Sequence, residues 1–112
     1  MAFDYLRMAA SVASRRQDGR SFLLGAVGRR ADGALVRASN GPAPVPMPCA
    51  HAEARLARKL DVGAEVWVAR VTASGEMAMA KPCADCQRTL RRAGVRRVTY
   101  SAGEGKRGVL LL

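Results

Sequence analysis

The chain has 112 residues, a formal net charge of +10 and a pI of about 11.0. That length suits one domain, 1–112, with a modest core. At 4% aromatic residues, the core must come mainly from Val, Leu, Met and Ala. No run approaches the roughly 20 apolar residues that cross a bilayer as a helix. Three Cys, an odd number, argue against a secreted disulfide framework and for metal binding in a reducing, cytoplasmic compartment.

Phe3, Leu6, Ala10 and Ala13 recur at helical spacing, which predicts an amphipathic first helix ending near residues 17–19. Residues 21–27 (SFLLGAV) form a short apolar run and are expected to be a strand. Asp32-Gly33 signals a hairpin turn, and 34–39 then return as a second strand. Residues 40–48 (NGPAPVPMP) carry four prolines at alternate positions, which fix φ and remove donors. They predict a rigid loop leading to a helix over 50–60, with Gly63 just beyond its end. Residues 65–72 (EVWVARVT) alternate and are β-branched, as in a strand, and 76–80 are expected to run back from it. Pro82 suits the first turn of a helix that stops at Gly94. Strands at 97–101 and 109–112 close the chain. The seven residues between them are too few for a parallel crossover, so they are expected to pair antiparallel. Helices alternating with strands predict an α/β fold, a sheet with helices packed on its faces. Trp67 reads as core, with stacking on a base as its alternative. Phe22 and Leu23 read as core, and Met77 and Met79 read as gap fillers, with the lining of a groove as their alternative.

Two short patterns carry chemistry. His51-Ala52-Glu53 opens the middle helix, and Pro82-Cys83-Ala84-Asp85-Cys86 opens the next. Cys83 and Cys86 are one turn apart on one helix face, and the positive end of a helix dipole favours anionic sulfur. With His51 they make three ligands of the kind zinc prefers, leaving a fourth position for water, the arrangement of a catalytic site. Zinc lowers the pKa of water from about 15.7 to about 7. Glu53 is close enough in sequence to exchange protons with that water. A closed structural site would need Cys49 as fourth ligand, at an unusual spacing from His51, and would leave Glu53 without a role.

The H-x-E and P-C-x-x-C patterns resemble the signature of the zinc-dependent cytidine and deoxycytidylate deaminase superfamily. The resemblance extends over nearly the whole chain. It implies a three-layer α/β/α sandwich around a mixed five-stranded sheet and a hydrolase with one Zn²⁺ per chain. It further implies attack of metal-activated water on C4 of a cytosine ring, with Glu53 as acid and base. Ala52, through its N–H, and Pro82, through a nearby carbonyl, would read the base edge, and Asn40 would bond the sugar. Asn40-Gly41 is also an ordinary turn pair. His at position 51 looks more like the deoxycytidylate and nucleic-acid branches, whereas the short final loop looks more like the nucleoside branch.

The expected substrate is a free cytidine-type nucleoside or nucleotide. A first alternative keeps the chemistry and moves the cytosine (or adenine) into single-stranded DNA or RNA. A second is a zinc-stabilised nucleic-acid-binding module without catalysis. The charge of +10 fits a phosphate-bearing partner and equally a solvated Arg-rich surface. The same two readings apply to Arg88, Arg91, Arg92, Arg96 and Arg97. The apolar tail 109–112 reads as a core strand or as a contact in a homo-oligomer.

Overall fold

The computed structural model describes residues 4–14, 22–39, 56–72, 76–103 and 105–112. The first helix is α1 (Tyr5–Ser14), capped by Asp4, and its expected end near 17–19 lies outside the described residues. The Asp4 Oδ1 accepts the N–H of Arg7 at 3.2 Å, satisfying one of the donors a helix start leaves over. β1 (Phe22–Arg29) and β2 (Leu35–Ser39) pair antiparallel around the expected turn. There the Gly33 φ of +91° supplies the left-handed residue, and Asp32 accepts the N–H of Ala34 at 3.0 Å.

β3 (Glu65–Thr72) pairs antiparallel with β1 along its whole length. Its other edge is shared. Residues 65–68 pair parallel with β5 (Arg97–Ser101), and Arg70 and Val71 pair antiparallel with β4 (Met77–Ala78). β6 (Arg107–Leu111) pairs antiparallel with β5, as the short connection requires. Among the described residues the sheet therefore has six strands, in the order β2-β1-β3-β5-β6 with β4 beside β3. The expectation of five is corrected by β4: 76–80 runs back as anticipated, and two of its residues join the ladder.

The layers follow from the period of two along β3. Trp67 and Ala69, with Val27, pack beneath Leu6 and Ala9 of α1. Val66 and Val68, with Ala26 and Val98, pack beneath Leu90, Val95 and Leu56 on the opposite face. Leu90 belongs to α2 (Ala84–Ala93). This is the α/β/α sandwich expected. Each fully buried Leu contributes about 1.5–3 kcal/mol. α1 sits so close to β1 that a Cβ at Gly25 would collide with the backbone of Ala9 and Ala13. Trp67 is core, as read. Its ring centroid lies 4.5 Å from that of Tyr5. The side chains of Phe22 and Leu23 lie outside those described.

The tail is an edge strand with two faces: Leu110 and Leu112 pack against the core, whereas Val109 and Leu111, 54% and 80% exposed, point outward. Among the described residues no helix is long and apolar enough to cross a membrane.

Candidate active site

The crossover from β3 to β5 aims the cysteines. From β4 the chain passes through buried Ala80 and Pro82 to Cys83, the N-cap of α2, whose extended backbone (φ −68°, ψ 168°) turns into the helix. α2 runs back and ends at Gly94, whose φ of +93° and bonds to the Arg91 and Leu90 carbonyls close it. Gly94 also accepts the Gly63 N–H at 2.8 Å, just ahead of β3. The start of α2 therefore lies at the carboxyl ends of the parallel pair β3 and β5, where α/β sheets place their sites.

Ser101 locks this end. Its hydroxyl, fully buried, donates to the Ala78 carbonyl at 2.6 Å and accepts the Arg70 N–H at 3.2 Å, joining β3, β4 and β5 where the strands fork. The Ala80 N–H donates to the Ser101 carbonyl at 2.8 Å. The path into Pro82 is thus tied to the sheet two residues before it.

Cys83 is exposed and Cys86 buried. Two thiols one turn apart at one helix start, one at the surface and one beneath it, suit a soft or borderline cation. The Pro82 carbonyl accepts Gln87 Nε2 at 2.9 Å. A carbonyl has two lone pairs, so this bond orients the group and leaves one acceptor site. On the outer face Asp85 pairs with Arg88. His51, Ala52, Glu53, Asn40 and Cys49 lie outside the described residues. Within those described, no three His, Cys, Asp or Glu side chains are grouped as a metal site. The structure thus brings Pro82, Cys83 and Cys86 together.

Sequence reasoning missed Gln87 and Ser101. Gln87 stands four residues after Cys83, a spacing that puts it beside the helix start. Ser101 carries no such local signal.

It also missed a cluster at the other end of the sheet. Glu65 opens β3, and its carboxylate is 5% exposed. Its Oε1 accepts from Arg96 at 2.8 Å and from Arg29 at 3.4 Å, and its Oε2 accepts from Arg97 at 2.6 Å. Burial alone would raise the Glu65 pKa. The hydrogen bonds from Arg96 and Arg97, with the charges of Arg97 and Arg29, outweigh it and hold the carboxyl below its ordinary value. Two members of the expected basic patch are therefore engaged in an ion-pair hub.

A profile for the cytidine and deoxycytidylate deaminase zinc-binding region matches residues 2–102. Among solved structures, a cytidine deaminase from Burkholderia pseudomallei aligns with a TM-score of 0.67 at 18% identity, over 96% of this chain and 89% of that one. Cytidine deaminases from Mycobacterium tuberculosis and Mycobacterium leprae, each 20% identical, give TM-scores of 0.54 and 0.53. These alignments span 89% and 88% of this chain and 85% and 84% of theirs. Identities this low speak to the fold. No curated protein is significantly similar in sequence.

Proposed function

The chain belongs to the cytidine and deoxycytidylate deaminase zinc-binding family, and we propose that it hydrolyses the exocyclic C4–N bond of cytosine on a free nucleoside or nucleotide. The observation that carries this reading is the placement of Pro82-Cys83-x-x-Cys86 at the head of α2, beside the carboxyl ends of β3 and β5. It is joined to a family match that spans the H-x-E motif as well.

In this reading His51, Cys83 and Cys86 hold one zinc per chain. The bound metal supplies Lewis acidity toward the attacking water. Glu53 would take one proton from that water and place it on the ring nitrogen as the C4–O bond forms. It would then take the remaining proton from the new C4 hydroxyl and pass it to the amine, so that the C4–N bond breaks, ammonia leaves and the C4 carbonyl remains. The remaining lone pair of the Pro82 carbonyl accepts from the exocyclic amine, and Gln87 keeps that carbonyl from rotating. The Ala52 N–H donates to the base edge, and Asn40 bonds the sugar.

The test is ammonia release from the zinc-loaded protein with cytosine, cytidine, deoxycytidine, their monophosphates, adenosine and a single-stranded oligonucleotide. Turnover of a free cytosine nucleoside or nucleotide is expected. Turnover of the oligonucleotide alone would transfer the assignment to polynucleotide deamination, the reading that the charge of +10 favours. Glu53→Ala should lower the rate by about 10²–10⁴-fold while zinc content and circular dichroism stay unchanged. Unaltered activity in this variant would remove Glu53 from the mechanism.

A further inference from the structure

The end of the sheet opposite Cys83 carries a second polar site. A cavity of about 320 Å³ opens beside the Glu65 hub, walled by Arg29, Arg30, Arg96, Glu65, Asp32 and Gly33. Strand pairing assembles it: Arg29 lies opposite Glu65, and Arg97 beside Glu65 brings Arg96 to the same end.

Two observations show that the wall is not satisfied by its own groups. The three guanidiniums outnumber the two carboxylates of the wall, which leaves the wall with a net positive charge. Glu65 is shared among three arginines, whereas Asp32 keeps its charge and is held by its turn, its Oδ1 accepting the Ala34 N–H. The second observation concerns Arg30. Its Nε is buried and has no hydrogen-bond acceptor among the described residues. Its nearest carboxylate oxygen, on Asp61, stands at 3.7 Å, outside hydrogen-bond range. A buried donor without an acceptor is costly, and an anion oxygen in the cavity would relieve it.

We propose that this cavity binds a small phosphate-bearing anion, with Arg30 and Arg96 donating to its oxygens and Glu65 holding Arg96 and Arg29 in place. Guanidinium suits phosphate because its planar fork matches two oxygens at once. The volume fits a small ligand. The phosphate can come from a free nucleotide or pyrophosphate, or from a polynucleotide backbone. The site stands apart from Cys83 and Cys86, so its test does not depend on deaminase activity.

The test is calorimetric titration of the zinc-loaded protein with inorganic pyrophosphate at low salt, for the unaltered chain and for Arg30→Gln, Arg96→Gln and Arg58→Gln. Arg58 is exposed, stands outside the cavity wall and controls for loss of one charge. Thermal melts check that each variant is folded. Saturable binding weakened about tenfold or more by Arg30→Gln and Arg96→Gln, but less than about twofold by Arg58→Gln, supports the site. No binding by the unaltered chain, or equal weakening in all three variants, overturns it. A parallel titration with a single-stranded oligonucleotide separates the sources. If the cavity variants weaken it selectively, the backbone is the ligand. If Arg58→Gln weakens it as much, the cavity serves free phosphates. Should Arg96→Gln fail to fold, Arg30→Gln, which leaves the Glu65 hub intact, decides alone.

Discussion

The two ends of the sheet handle polar groups in opposite ways. At the carboxyl ends of β3 and β5, Pro82, Cys83, Cys86 and Gln87 fall within six consecutive residues, and one helix start arranges them. At the other end Arg29, Glu65 and Arg97 come from three strands and Arg96 from the residue just ahead of β5, and the arginines lie 31 to 36 positions from Glu65. A local cluster shows in the sequence because helix geometry alone dictates what neighbours what. A hub made by strand register does not, since register is set by the whole pattern of buried faces.

The contrast can be broken or sharpened by substitution. The largest effect is expected at the cysteine end. Cys86→Ala should abolish zinc retention after dialysis against a mild chelator and, with it, deaminase turnover, while the far end keeps its fold. Stoichiometric zinc in this variant, measured by atomic absorption, would take Cys86 out of the ligand set.

Glu65→Gln comes next. It keeps the shape but leaves three guanidiniums facing a neutral amide. Because the arginines are 40–68% exposed, water screens much of the loss, and a destabilisation of about 1–3 kcal/mol is expected in urea unfolding. The effect should depend on pH. The folded-state carboxyl ionises below its ordinary 4.5, so its stabilisation is complete above about pH 5 and fades as pH falls through the folded-state value. The gap between the unaltered chain and Glu65→Gln should therefore narrow on acidification. A gap that stays constant from pH 7 to pH 3 would show that the charge contributes nothing.

The smallest effect is expected for Arg88→Ala, which removes an exposed i,i+3 pair with Asp85. Such pairs contribute about 0–1 kcal/mol, and the change should shrink further in high salt. A larger loss would make Arg88 a partner in the site rather than part of the helix surface.

Much of the architecture was legible in advance. The alternation in 65–72, the Asp32-Gly33 turn, the stop at Gly94 and the antiparallel closure of β6 follow from side-chain period, positive φ and connection length, all properties of short segments. The cysteine half of the candidate metal site was legible for the same reason, being one helical turn. Tertiary structure alone decided that β4 enters the sheet, that Ser101 clasps the fork where β4 and β5 share the edge of β3, and that Arg96 and Arg97, while exposed to water, also serve Glu65. Each of these depends on which strand lies beside which, and at what offset. That choice is made by the burial of Val66, Trp67, Val68 and Ala69 on both faces of one central strand, where no short stretch of sequence carries the answer.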